Sequence, residues 1–394
     1  MTLSTTTPSS TTPSSWSAYA GLPLLRTIAT GIVQLDKGVQ PKGQVYPAAA
    51  QRALDQLVLL CLRQQVPPPN SVPDMIRWAR TIPVDQWPLE LPEDVAGAGE
   101  LLVDEATNSP TQACHEWVVD AADATAEQIE NRLMGHAIDQ CRSSRSPQAY
   151  TTFRRLLISR PVLTGVEIAS LLGEDGGIFF KPTLEVIKQS YQRVPASLQV
   201  DGQCATCRRC GCLLTPLANG GWRCELDRCR YEGAASVGRM LGWRDDGGLF
   251  QIARPLRVFI TGPGRAETEL EAQLAKLGLT ITMWPEYDTY DLHVPLPGGG
   301  VWAIDVKDRA NPALLGRSAR PFRSPPRFDR AFLVVPDYRF KQRDGYRTIF
   351  NRHRPEELRG VVDLVTDSEL VAMVRKEIRA AKRSAAVQQE AGNA

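Results

Sequence analysis

Two aspartates and a lysine, Asp291, Asp305 and Lys307, are grouped in one short stretch with the make-up of a hydrolytic centre. The stretch is Asp291-Leu-His-Val-Pro-Leu-Pro-Gly-Gly-Gly-Val-Trp-Ala-Ile-Asp305-Val-Lys307, which reads as two β-strands joined by a tight glycine turn. Side chains on a strand alternate faces, so Asp305 and Lys307 point the same way. Folding the hairpin about Gly298-Gly299 brings Asp291 opposite the Asp305–Lys307 end. Two carboxylates and one ammonium then share a small volume. A metal-dependent phosphodiesterase needs that set. The carboxylates hold Mg2+ or Mn2+, the ion activates water and neutralises phosphate, and the lysine orients the attacking water or stabilises developing charge. The bland alternative is a surface hairpin whose Asp and Lys are solvated or paired across strands.

An Asp, a hairpin and then Asp-x-Lys resembles the PD-(D/E)xK nuclease superfamily, the restriction-endonuclease-like fold. The resemblance implies a core in the order helix, strand, strand, strand, helix, strand, with an extra acid on the preceding helix. A helix is expected over residues 265–277, and Glu267 on it takes that place as an assistant to metal or water. Glu286 and Asp288 are alternative ligands should the strand begin a few residues earlier. Strands are expected at 331–336 and 360–365, and a terminal helix over 368–384. A strand at 256–260 leads into Thr261-Gly262-Pro263-Gly264. That glycine pair is not a dinucleotide fingerprint: Glu267 occupies the third glycine position and Pro263 removes an amide donor.

Six of the nine cysteines lie between Cys204 and Cys229. Clustering of this kind in a chain without a secretory signal points to metal rather than disulfides. Cys207-x-x-Cys210-Gly has the form of a zinc knuckle, and Cys224 and Cys229 follow an expected returning strand at 220–223. These four thiolates would close a structural Zn2+ site with no open position for chemistry. Cys204 and Cys212 are surplus, and Cys204 with Cys207 is an alternative first pair of equal spacing. Arg208, Arg209, Arg223, Arg228 and Arg230 decorate the ribbon, which suits either nucleic-acid contact or a structural clip.

The chain has 394 residues and a net charge of only +2, so the distribution of charge says more than its sum. From Arg309 to Arg354 there are twelve Lys or Arg against three acids, Asp329, Asp337 and Asp344. Such a tract beside a metal site suits a polyanion, although a solvated face reads the same way. No apolar run approaches transmembrane length and no secretory signal is present, so a soluble cytoplasmic protein is expected.

These features predict a multidomain α + α/β protein. Residues 1–16 are Ser/Thr/Pro-rich and read as disordered. Residues 17–147 read as a helical N-terminal domain, with Trp78, Trp87 and Trp117 as core anchors and Cys114, His115 and His136 as packed or exposed rather than ligating. Residues 148–200 read as three short helices at 150–159, 166–172 and 183–194, the second started by a Thr164…Glu167 capping box. They form a helix-turn-helix-like or winged-helix-like unit, or a helical spacer. The zinc ribbon spans 201–235, residues 239–252 read as a linker, the nuclease domain spans 255–384, and 385–394 is a flexible tail.

The combination narrows the resemblance. A Cys-x-x-Cys-Gly…Gly-Trp-x-Cys ribbon precedes Trp284-Pro-Glu-x-Asp-x-Tyr-Asp291-Leu and then Val301-Trp-Ala-Ile-Asp305-Val-Lys307-Asp308. From about residue 150 onward, this resembles the restriction-endonuclease-like protein associated with the pPIWI-RE systems of bacteria. The resemblance implies an Mg2+-dependent DNA endonuclease in a defence island, with Asp291, Asp305, Lys307 and Glu267 in the active site. It also implies a PIWI-type protein and a DinG-type helicase as partners. A duplex cutter of this type would need two active sites, hence a homodimer. The competing reading is a non-catalytic nucleic-acid-binding adaptor of a defence complex.

Overall fold

Apolar residues at helical spacing build the first layer. The computed structural model describes residue 16 and residues 19–38, 43, 45–119, 125–173 and 180–392. The stretch expected to be disordered therefore lies outside the described residues, except for Trp16. Helix α1 (Gly21–Asp36) buries Leu22, Leu25, Ile28, Ala29 and Ile32 along one stripe. It crosses α2 (Ala48–Arg63) at Gly31, where a side chain would run into the backbone of Ala50. Helix α3 (Val72–Thr81) starts at Ser71, whose Oγ accepts from the Asp74 amide at 3.3 Å. Helices α4 (Gln112–Val119) and α5 (Thr125–Ser143) complete this region. Trp87 and Trp117 are buried in its core, and Trp78 packs edge-on against Trp87 at 5.9 Å. Ala313, Leu314 and Ile349 from far down the chain join the same core.

Helix α6 (Pro147–Ser159) is followed by strand β1 (Val162–Thr164), α7 (Gly165–Leu172), α8 (Leu184–Ser190) and strand β2 (Tyr191–Arg193). The capping box at the start of α7 is present: Thr164 Oγ1 accepts from the Glu167 amide at 3.1 Å, and Glu167 accepts from the Thr164 amide at 2.8 Å. The helix expected over 183–194 stops at Ser190. Tyr191–Arg193 is drawn instead into an antiparallel pairing, and the Tyr191 hydroxyl donates to the Arg160 carbonyl at 2.7 Å. The segment at 148–200 is thus not all helical.

The cysteine-rich part follows as β3 (Gln203–Cys207), β4 (Leu214–Pro216), β5 (Trp222–Cys224), α9 (Asp227–Tyr231), β6 (Val237–Gly242) and β7 (Leu249–Ile252). The last two correct the linker expected at 239–252. β6 pairs with β3, and β7 inserts between β1 and β2 in a three-stranded sheet of order β1-β7-β2. Non-local pairing of this kind leaves little trace in local composition.

The strand expected at 256–260 is helical. Arg254–Leu256 forms a helical turn, Arg257–Thr261 a π-helical turn, and the run continues as α10 (Gly262–Ala275). Pro263 cannot donate to the carbonyl one turn earlier, and a π-helical turn stands where that bond is missing. The β-branched residues behave as helical core here because tertiary packing overrides their preference: Val258 and Ile260 are buried. Gly264 lies against Ile158 of α6 with no room for a side chain. Gly264 is there for helix contact, not for phosphate.

The central sheet contains β8 (Thr282–Met283), β9 (Leu292–Pro295), β10 (Val301–Val306), β11 (Arg330–Val335) and β12 (Val362–Thr366), in the order β12-β11-β10-β9-β8. β9 and β10 form the antiparallel hairpin, while β10, β11 and β12 run parallel. Helices α11 (Pro312–Ser318), α12 (Asp337–Gln342), α13 (Tyr346–His353) and α14 (Asp367–Gly392) flank the sheet. From α10 to β11 the order is helix, strand, strand, strand, helix, strand, with one short helical turn, Pro285–Asp288, between the first two strands, a mixed α + α/β arrangement. α14 extends beyond the helix expected at 368–384, so residues 385–392 of the expected tail are helical. One core runs from Leu133 of α5 through α6, α10 and the sheet to Val374 of α14. No described helix is long and apolar enough to cross a membrane.

Candidate active site and cysteine centre

Pairing in the hairpin sets the site. Ile304 lies opposite Leu292, and the Asp291 amide donates to the Ile304 carbonyl at 3.0 Å. Asp291 therefore stands just before β9, beside the end of β10, where Asp305 stands. Asp291 is buried, and its Oδ2 accepts from the Val306 amide at 2.7 Å. Lys307 Nζ donates to Asp305 Oδ1 at 2.8 Å. Glu267, on α10, is buried and accepts from Trp284 Nε1 at 2.7 Å. Asp291, Asp305, Lys307 and Glu267 all line one cavity of about 360 Å³.

Two further residues belong to this cluster. Arg154 of α6 is buried and its Nη2 lies 2.9 and 3.1 Å from the two oxygens of Glu267 and 3.3 Å from Asp291 Oδ1. Its Nη1 pairs with Asp288. Asp288 also accepts from the Tyr150 hydroxyl at 2.8 Å. Asp288 reaches the cavity because the chain does not enter β9 as a regular strand. Trp284, Glu286, Tyr287 and Asp288 all have positive φ, between 48° and 76°. Four non-glycine residues in that region are costly and need surrounding structure to hold them. Glu286, the other alternative ligand, is exposed and lies outside the cavity lining. Arg154 was not foreseen, yet its signal was readable. On α6 it falls between Tyr150, Phe153 and Leu157 on the buried stripe, where a lone arginine requires acid partners.

Burial pushes the Asp291 carboxyl well above the usual range, and the charges of Glu267 and Asp305 push it further, against Lys307 and Arg154. Burial likewise raises Glu267, with Arg154 opposing. Burial works against the charge on Lys307, but Asp305 and Asp291 outweigh it and hold the ammonium above its ordinary value. Four carboxylates face two cations, a formal surplus of two negative charges that one divalent cation would balance. Hard oxygen donors with that surplus fit Mg2+ or Mn2+. Their oxygens are spread around Arg154 and Lys307, however, rather than gathered on one point. Among the described residues only the cysteine group has three or more ligand atoms all within 4.8 Å of one another.

The cavity continues into a second, of about 210 Å³, lined by Asp305, Lys307, Arg309, Arg320 and Arg323. These three arginines make no ion pair among the described residues. Four of the twelve cations in the basic tract are held in ion pairs among the described residues. Arg330 pairs with Asp363, Arg339 with Asp308 and Asp227, Arg347 with Glu369, and Arg352 with Asp94. The tract as a whole is not a free basic face.

The thiols of Cys207, Cys210, Cys224 and Cys229 are buried within 4.8 Å of one another, with Cys210 and Cys224 Sγ 3.6 Å apart. Four sulfurs so placed could bind a metal such as zinc. Arg265 Nη1 donates to Cys229 Sγ at 3.2 Å, which suits a thiolate cluster. Cys204 and Cys212 are buried outside the group. The ribbon arginines mostly fasten it in place: Arg223 to Asp104, Arg228 to Glu269, and Arg209 to the carbonyls of Cys229 and Ala234. Cys114 and His115 are buried in α4, and burial lowers the His115 pKa to about 3. His136 bonds Gln140 on α5. None of these three lines the cavity.

The N-terminal region also reaches the site. Glu116 of α4 accepts from the amides of Ala310 and Asn311 at 2.8 and 2.9 Å, which holds the loop just past Lys307.

Two family profiles match the chain. Residues 24–164 match the pPIWI_RE three-gene island domain Y, and residues 264–382 match the REase associating with pPIWI_RE. No curated protein and no solved structure matches it.

Proposed function

Because this chain is a restriction-endonuclease-like protein of the pPIWI-RE systems, we propose that it is the nuclease of a prokaryotic defence island, a metal-dependent DNA endonuclease of the PD-(D/E)xK type that acts against phage or plasmid DNA. The names of both profiles imply a PIWI-type protein in the same system. A DinG-type helicase and a homodimer are further expected partners. The observation that carries the reading is the convergence of Asp291, Asp305, Lys307 and Glu267 on one cavity that opens onto arginines with no ion pair among the described residues.

In this mechanism Asp291 and Asp305 would hold the cation, and Glu267 would assist. Bound Mg2+ or Mn2+ supplies Lewis acidity to the phosphodiester and makes water nucleophilic near neutral pH. Lys307, held by Asp305, orients the attacking water and faces the developing negative charge. Arg309, Arg320 and Arg323 receive the flanking phosphates. Arg154 must yield part of its hold on Asp291 for the oxygens to gather. Zn2+ on Cys207, Cys210, Cys224 and Cys229 is structural.

The test is cleavage of single- and double-stranded DNA with Mg2+ or Mn2+, comparing wild type with Asp305→Ala. Cutting by wild type alone supports the assignment. Equal cutting by both would remove the hairpin from the mechanism. The adaptor reading is favoured by one observation, that Arg154 already satisfies Glu267, Asp288 and Asp291. DNA binding without any metal-dependent product, also with candidate partners added, would select it.

A further inference from the structure

The segment from α6 to β7 has a topology that the proposed chemistry does not use. Among the described residues it runs helix, strand, helix, helix, strand and, after a long insertion, strand, closed as an antiparallel sheet of order β1-β7-β2. That is the arrangement of a winged helix. The hairpin connection between its last two strands, the wing, is replaced by the whole cysteine ribbon, which leaves β2 after Arg193 and returns to β7 at Leu249. In helix-turn-helix units the second helix and the flanking loops meet the nucleic acid.

The root of this insertion holds a cleft of about 370 Å³ lined by Arg193, Val194, Trp243, Arg244, Gly247, Gly248 and Leu249. Arg193 lies over the Phe250 ring at 5.0 Å, and Arg244 over the Trp243 ring at 4.9 Å. Trp243 is itself pinned by its Nε1 donating to the Val194 carbonyl at 3.0 Å. Both arginines are exposed, and neither forms an ion pair among the described residues. This sets them apart, since most ribbon arginines are bound to carboxylates or carbonyls. The nearby acids Asp245 and Asp246 are exposed and do not line the cleft. Stacking on aromatic faces holds a guanidinium in place while leaving its donors free, and a planar fork of free donors suits phosphate oxygens.

We propose that the Arg193–Arg244 cleft binds a backbone phosphate of duplex DNA, which makes the winged-helix unit, with the ribbon as its wing, a second DNA contact separate from the catalytic cavity. This goes beyond the proposed cleavage and does not depend on turnover. Phosphate contact orients a duplex without reading its sequence.

The test is equilibrium binding of duplex DNA to the full-length chain carrying Asp305→Ala, so that cleavage plays no part. Arg193→Gln with Arg244→Gln is expected to weaken duplex binding about tenfold and to lower the slope of log affinity against log salt by about 1, the step for one phosphate contact. Arg193→Lys with Arg244→Lys, which keeps the charge, is expected to retain most of the slope. Unchanged affinity and slope in the Gln pair would overturn the proposal. Equal losses in the Gln and Lys pairs would also overturn it, because the cations would then only be packing Trp243 and Phe250. A loss confined to single-stranded DNA or to RNA would refute the assignment to duplex DNA. Metal content and melting temperature of each pair check that the ribbon stays folded. Failure of the cleavage reading alone leaves this binding result intact, so the two proposals fail separately.

Discussion

Arg154 engages both carboxylate oxygens of Glu267 across 113 residues of sequence, at 2.9 and 3.1 Å, with neither side chain appreciably exposed. The same guanidinium holds Asp288 and Asp291. A helix that precedes the ribbon thus supplies the central cation of the acidic cluster in the C-terminal sheet.

Removing that cation leaves three carboxylates facing one another. Arg154→Ala is expected to lower metal-free stability by about 3–5 kcal/mol, the usual cost of breaking a buried ion pair from one side. Mg2+ should restore part of the loss. Denaturant unfolding with and without Mg2+ reads both effects, and a loss under about 1 kcal/mol with no response to metal would contradict them.

The pH dependence has a definite sign. Asp291 and Glu267 are held above the ordinary carboxylate range, chiefly by burial. The native state then binds more protons than the unfolded chain. Their contribution to metal-free stability is complete below the unfolded-chain values of about 4 and is lost as pH rises through the native ones. Asp291→Asn, which cannot ionise, should remove the part due to Asp291. Melting curves in metal-free buffer should show wild type losing stability relative to Asp291→Asn as pH rises. A gain instead would reverse the electrostatic reading. Cation binding must displace these protons, so Mg2+ affinity should increase with pH.

Lys307→Met keeps most of the length of the side chain and removes its charge. Lys307 is partly exposed, and its pair with Asp305 is local. Stability should therefore change by about 1 kcal/mol or less, while the cleavage rate falls by about 10²-fold or more. Wild-type cutting by this variant would exclude the lysine from the mechanism.

The cysteine centre can be tested one residue at a time. Cys210→Ser should release zinc from the purified protein and lower its melting temperature, because the ribbon is tied to the rest of the fold through Arg223–Asp104 and Asp227–Arg339. Cys204→Ser and Cys212→Ser should retain one equivalent of zinc. Metal analysis decides between this set and the alternative pair of Cys204 with Cys207.

Glu116 offers a test of coupling between the N-terminal region and the cavity. Glu116→Ala leaves the amides of Ala310, partly buried, and Asn311, buried, without their acceptor. A loss of about 2–4 kcal/mol is expected from two such groups. Cleavage should fall as well, although Glu116 is not among the residues lining the cavity. Full activity at wild-type stability would show that the loop after Lys307 holds itself.

Local signals were legible along the chain. The hairpin that sets Asp291 against Asp305 followed from period-2 alternation and the glycine turn, the Thr164–Glu167 box from its spacing, and the grouping of Cys207, Cys210, Cys224 and Cys229 from knuckle geometry. Each depends on residues that are near neighbours in sequence or joined by one turn. The failures have the opposite character. Residues 256–260 look like a strand by composition, but their packing against α6 and the missing amide of Pro263 make them helical. β6 and β7 are strands because β3, β1 and β2, all earlier in the chain, supply their hydrogen-bond partners. The basic tract after Lys307 looked free until Asp94, Asp227, Asp308, Asp363 and Glu369 were brought to it by folding. Which residues are candidates for chemistry was thus written in the order of the chain. Which charges remain available to do it, with Arg154 spent on the acidic cluster and Arg193 and Arg244 left open, was settled by long-range contacts, because the partner of a charge is chosen by proximity in space.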